Sequence, residues 1–96
     1  MLCVYRYKDI DNNYIIEYIG EVHGKKQTLK ARIQAHAAEL RFMGRRWLIE
    51  YQDDNLYSTT DVKALESHYI SLYNPSFNKA KVNHGLCSFI TKEFNN

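Results

Sequence analysis

Two apolar runs near the start of the chain, LCVYRY over residues 2–7 and YIIEYIGEV over residues 14–22, place Tyr5, Tyr7, Tyr14 and Tyr18 on what read as neighbouring strands. The chain carries 8 Tyr against 4 Phe and 1 Trp. A core that needed only apolar volume is built more simply from Phe, so some of these hydroxyls are expected to do chemistry. A phenol donates or accepts hydrogen bonds, and a nearby cation favours its ionised form. Downstream, Arg32 and His36 stand four residues apart. That spacing puts both on one stripe of a helix, the arrangement a joint phosphate site needs. Lys25, Lys26, Lys30, Arg32, Arg41, Arg45 and Arg46 fall in one central third of the chain, and Asp53, Asp54, Asp61 and Glu66 follow it. Such a block is read equally well as a polyanion-binding surface or as a solvated charged face.

At 96 residues the chain is expected to form one domain around one core. Hydrophobic residues at 45% and charged residues at 25% exclude wholesale disorder. The formal charge of +2 permits nucleic-acid binding without requiring it. Cys3 and Cys87 lie in apolar segments with no CxxC spacing and no neighbouring His cluster, which argues against a disulfide scaffold or a zinc site. Arg6 interrupts the first residues too early for a signal peptide, and no apolar run approaches ~18 residues. A reduced, cytoplasmic setting without membrane contact is the expectation.

The elements that must position these residues are readable from local pattern. Residues 2–8 and 14–19 are strand-like around the turn-prone Asp9-Ile10-Asp11-Asn12-Asn13, which predicts a β-hairpin. Residues 23–27 read as a loop. From the N-cap candidate Thr28, Leu29, Ile33, Ala37 and Leu40 recur at helical spacing to about Phe42, with Arg32, His36 and Glu39 on a second, polar stripe. Gly44 ends this helix and WLIEYQ over 47–52 forms a third strand. Ser58-Thr59-Thr60-Asp61 has the form of a capping box, starting a helix with Val62, Leu65, Tyr69, Leu72 and Tyr73 on its apolar side until Asn74-Pro75. Tyr7, Tyr14, Tyr69 and Tyr73 read as the amphipathic edge of the core. Residues 86–90, LCSFI, read as a short strand or a packed extended segment. The order β-β-α-β-α plus a tail predicts an α+β domain with a small three-stranded antiparallel sheet flanked by helices.

Taken in order, Cys3-Val4-Tyr5, Tyr18-Ile19-Gly20, Arg32 with His36, Glu66, and Asn74-Pro75-Ser76-Phe77-Asn78 resemble the GIY-YIG nuclease family over about residues 3–78. By that resemblance the chain is a divalent-metal-dependent endonuclease that hydrolyses DNA phosphodiesters with one Mg²⁺ or Mn²⁺. It implies Tyr5 and Tyr18 as the motif tyrosines, Arg32 as the phosphate-binding arginine, Glu66 as the metal ligand and Asn78 as the asparagine closing the site. His36 matches the subset of the family with a histidine four residues after the arginine. Three positions depart from the pattern. Cys3 replaces a glycine, the segment from Gly20 to Arg32 is longer than usual, and Glu21 stands where many members have a basic or amide residue.

Within this reading Tyr5, Tyr18 and His36 are all candidates for general base, with Arg32 and the metal expected to lower the phenol pKa. Lys25, Lys26, Lys30, Arg45 and Arg46 are the candidate DNA contacts. Trp47, Tyr51 and Phe42 either stack bases or belong to the core, while His23, His68 and His84 read as surface or packing residues. A homodimer or an additional DNA-binding partner would supply a second cut or specificity. The principal alternative is a non-catalytic nucleic-acid-binding module with the same fold, and a third is a metal-free small-ligand or protein-interaction domain.

Overall fold

A computed structural model describes residues 1–78; the segment expected at 86–90, Cys87 and His84 lie outside the described residues. Strand β1 (Cys3–Asp9) pairs antiparallel with β2 (Ile15–Val22) and with β3 (Trp47–Gln52), giving a sheet of order β2-β1-β3. Helix α1 (Leu29–Ala37) lies between β2 and β3 in sequence, and α2 (Thr59–Tyr73) follows β3. This is the α+β architecture expected.

Local chemistry explains the connections. In the first hairpin the Asp9 carbonyl accepts from the amides of Asn12 and Tyr14, the Asp9 carboxylate accepts from the Asp11 amide, and Asn13 and Tyr14 adopt the left-handed region. Ser58 and Asp61 form the capping box of α2, and Asn74 ends that helix in the left-handed conformation with Pro75 behind it. A bulge between Tyr7 and Lys8 inserts one extra residue of β2. It changes which face β2 presents: Tyr18 joins one core cluster and Ile16 the other, although simple alternation would put both on one side.

The sheet therefore has two unlike faces. On one, Val4 and Ile19 pack with Val62 and Ile70 of α2 in an aliphatic cluster. On the other, Cys3, Tyr5, Tyr7, Tyr18 and Val22 pack with Phe42 and Phe77, and Leu29 and Ile33 of α1 cover them.

Both helices differ from their expected faces. α1 stops at Ala37, and a separate 3-10 turn, Leu40–Phe42, follows an extended Glu39. Ala37 is exposed and Leu40 is 85% exposed, while His36 is the buried residue of α1. The helix thus turns its polar stripe inward, because Arg32 and His36 find partners among the phenols that an alanine could not supply. In α2 the buried stripe is Val62, Glu66 and Ile70, whereas Leu72 and Tyr73 face solvent. The carboxylate sits at the middle of the packed side. No helix among the described residues is long and apolar enough to cross a membrane.

Candidate functional site

The site grows from the pairing of β1 with β2. Tyr5 lies opposite Gly20, and a Cβ on that glycine would stand 2.5 Å from the Tyr5 ring carbon Cζ and its hydroxyl oxygen. Gly20 is therefore the groove in which the Tyr5 ring lies, and the three residues of Tyr18-Ile19-Gly20 divide the labour. Tyr18 faces the aromatic side, Ile19 anchors the aliphatic core, and Gly20 makes room for Tyr5.

Tyr5 is 1% exposed, and its hydroxyl lies 2.7 Å from Nε2 of His36, itself 4% exposed. Nδ1 of His36 lies 3.0 Å from Oε1 of Glu39. The other Glu39 oxygen accepts from Nε of Arg41 at 2.7 Å, and a terminal nitrogen of Arg41 donates to the Phe77 carbonyl at 3.0 Å. The His36 ring stands 4.9 Å from the Tyr18 ring and 5.7 Å from the Tyr7 ring, so three phenols surround one imidazole.

Burial dominates the electrostatics here. It raises the Tyr5 pKa, with Tyr18 adding to the rise and Arg32 only partly opposing it. Arg32 lowers the Tyr5 pKa as expected, but without a metal desolvation outweighs the guanidinium and Tyr5 is a neutral phenol. Burial likewise pushes Tyr7 up to about 12 and raises Tyr18 against the pull of Arg41 and Arg32. Burial also lowers the His36 pKa, and the hydrogen bond to Glu39 only partly offsets it. His36 is thus neutral at pH 7.

Arg32, from the inner side of α1, has its positive form favoured despite burial by Tyr5 first, then Tyr18 and Glu66. Two polar atoms at this place, Arg32 Nε and the Tyr7 hydroxyl, are buried without a hydrogen-bond partner. Glu66 is 8% exposed and acts electrostatically on both Tyr18 and Arg32. The structure thus brings Tyr5, Tyr18, Arg32, His36 and Glu66 into one neighbourhood, with Tyr7, Glu39 and Arg41 added to it.

Asn78 has a different geometry. Its carboxamide oxygen accepts from the Ile19 amide and its nitrogen donates to the Ile19 carbonyl, both at 2.9 Å. β2 is an edge strand, and Asn78 satisfies its outward backbone groups as one residue of a further strand would. Both ends of the amide hold the backbone between Tyr18 and Gly20.

The cationic residues separate into two groups. Lys25, Lys26 and Lys30 are exposed, on the loop before α1 and in its first turn. Arg45 pairs with Asp9 and Glu17 at 3.3 and 3.4 Å, and Arg46 is held by both oxygens of Asp11. Lys63 answers the charge of Glu21 at 3.1 Å. Phe42 and Trp47 belong to the aromatic core, with Trp47 Nε1 donating to the Phe42 carbonyl at 3.1 Å, while Tyr51 is exposed.

Among the described residues no group of three or more His, Cys, Asp or Glu side chains is placed to hold a metal ion. A single buried carboxylate remains a fitting donor for Mg²⁺, which takes one or two carboxylates and completes its octahedron with waters and phosphate oxygens. A cavity of about 250 Å³ is lined by Tyr5 and Ile19 together with Arg6, Glu50, Tyr51 and Tyr69, and includes neither Arg32, His36 nor Glu66.

Three members of the site escape the sequence reasoning, Arg41 among them because it reads only as one cation of the central basic block. Tyr7 reads as core edge, yet strand alternation from Tyr5 puts it on the same face. Glu39 reads only as part of a polar stripe; its spacing of three from His36 is the available signal. Comparison with family models, with curated proteins and with solved structures gives no match to this chain.

Proposed function

We propose that the chain is a nuclease of GIY-YIG type that hydrolyses DNA phosphodiester bonds with one divalent ion. The observation that carries this reading is the convergence, beside half-buried Arg32, of a tyrosine hydroxyl hydrogen-bonded to a buried imidazole and a buried carboxylate. Arg32 Nε and the Tyr7 hydroxyl lack partners in a buried place, which is costly unless a ligand supplies them. A phosphate oxygen is an acceptor suited to the Arg32 guanidinium.

In the proposed reaction Tyr5 passes its hydroxyl proton to Nε2 of His36 and takes one from the attacking water. The resulting hydroxide forms the new P–O bond as the bond to the leaving oxygen breaks, and that oxygen takes its proton from solvent. Arg32 holds the phosphoryl oxygens and stabilises the charge that grows on them. Glu66 would hold the metal, which when bound supplies Lewis acidity at the phosphate. Because Tyr5 is neutral at rest, the proton transfer to His36 must accompany substrate binding rather than precede it. Lys25, Lys26 and Lys30 give the exposed positive charge for the DNA backbone, whereas Arg45 and Arg46 must first release their carboxylates.

Supercoiled plasmid incubated with the protein and Mg²⁺ or Mn²⁺ should be nicked, and EDTA should stop the reaction. Binding of the plasmid with no nicking under any metal would instead favour a non-catalytic DNA-binding module.

A further inference from the structure

The nuclease reading assigns no part to Glu39, yet both of its oxygens are engaged at the site. Oε1 faces His36 Nδ1 at 3.0 Å, and Oε2 is held by Arg41. A carboxylate only accepts, so Nδ1 must carry the imidazole proton, and Nε2 is left with its lone pair towards the Tyr5 hydroxyl. Local structure makes this possible. The chain leaves α1 after Ala37, Glu39 is extended, and its amide donates back to the His36 carbonyl at 2.9 Å.

We propose that Glu39, clamped by Arg41, is a positioning residue that fixes the tautomer of His36 and stabilises the imidazolium formed when Tyr5 gives up its proton. The inference rests on the nuclease reading for its catalytic consequence but not for its geometry. Every element around the ring bears on the argument: Tyr5 and Tyr7 from β1, Tyr18 from β2, Arg32 from α1, and Glu39, Arg41 and Phe42 from the turn. Arg32 and Arg41 oppose a positive imidazole, as does burial, and Glu39 favours it. Without Glu39 the ring would face two cations in a dry setting, and the proton would have nowhere favourable to go. The step balances: the Tyr5 O–H bond breaks, an N–H bond forms at Nε2, and the phenolate and imidazolium charges are flanked by Arg32 and Glu39 respectively. The logic matches that by which a buried carboxylate orients the histidine of a hydrolytic triad, with a phenol as the outer member.

The test uses the whole chain with Glu39→Gln, which keeps shape and removes the charge. Long-range ¹H–¹⁵N NMR of the imidazole, recorded without DNA, should show the Nδ1–H form in the wild type. His36 should titrate at lower pH in the variant, since the group that favours its charged form is gone. Plasmid nicking should fall by about 10²-fold or more at saturating DNA, with DNA affinity unchanged. Activity should also respond less to pH near neutrality than in the wild type. An Nε2–H tautomer in the wild type, or an unchanged titration in the variant, overturns the assignment. So does a wild-type nicking rate in Glu39→Gln. A wild type that nicks no DNA but shows the expected tautomer and titration shift removes the nuclease reading and leaves the positioning role standing.

Discussion

Replacing Gly20 with alanine tests the geometry on which the whole site depends. A Cβ there would lie 2.5 Å from Cζ and from the hydroxyl oxygen of Tyr5, and 2.9 Å from Cε2. Carbon atoms settle at about 3.5–4.0 Å from one another, so the ring or the strand must move by roughly 1 Å. Tyr5 has little freedom to yield, being 1% exposed and hydrogen-bonded to His36 at 2.7 Å. Alanine offers an opposing gain, since it restricts the unfolded chain, but that is worth only about 0.4–1 kcal/mol. Overpacking of a tight core costs about 1–3 kcal/mol, so the clash wins. For a domain of this size the net loss should lower Tm by several degrees, at about 4–8 °C per kcal/mol. A ring displaced by about 1 Å also loses the His36 bond, whose length would leave the hydrogen-bonding range, and misplacement on that scale costs about 10²-fold in rate. Thermal unfolding and plasmid nicking measure the two effects separately. In a Tyr5→Leu background the same Gly20→Ala change should cost much less, because the ring it strikes is gone. A Gly20→Ala protein that melts at or above the wild-type temperature and retains full activity would refute the packing argument.

Three further outcomes follow from the proposed site. Tyr5→Phe keeps the ring in its groove and removes the hydroxyl bonded to His36, so nicking should fall by about 10²–10⁴-fold with little change in fold by circular dichroism; a wild-type rate would make Tyr5 a packing residue. Glu66→Gln should abolish metal-dependent nicking while DNA affinity measured in EDTA persists or rises, because a negative charge near Arg32 and Tyr18 is removed; unchanged nicking would exclude Glu66 as the metal ligand. Charge reversal at Lys25 and Lys26 should weaken DNA binding and flatten its salt dependence, by about one unit of log–log slope for each phosphate no longer neutralised, with cleavage of saturating substrate retained; an unaltered slope places the DNA elsewhere.

What is encoded locally is legible in the sequence. The hairpin follows from the turn residues between Asp9 and Tyr14, and the limits of α2 from Ser58-Asp61 at one end and Asn74-Pro75 at the other. Strand β3 lies where its β-forming run predicts. What the chain does not reveal is decided by distant partners. Arg45 and Arg46 look like free cations in the chain, but Asp9, Asp11 and Glu17, about thirty residues away, are folded against them. Helical spacing puts Glu66 one turn after Val62, close to the packed face, and the structure buries it between Val62 and Ile70.

The tyrosine excess has a physical explanation in this division of faces. A domain this small has one sheet, and each face must exclude water to hold the fold together. The α2 side does so with aliphatic residues and carries, through Ile19, the strand that presents Tyr18 and Gly20 on the other side. In the proposed reading the α1 side has to be a core and a reaction site at once. Aspartate or serine would bring polar atoms but leave voids, and phenylalanine would fill the space but offer nothing to His36 or Arg32. Tyrosine meets both demands: Tyr5, Tyr7 and Tyr18 pack tilted or edge-on against one another and His36, the latter two also against Phe42, with ring centroids 4.9–6.2 Å apart, and the Tyr5 hydroxyl reaches His36. The same burial that makes the rings good packing raises their pKa values, so a neutral imidazole must take the proton. If Tyr5 transfers a proton as proposed, His36 is a requirement of using a buried phenol for it, and Glu39 a requirement of using a buried histidine between two arginines.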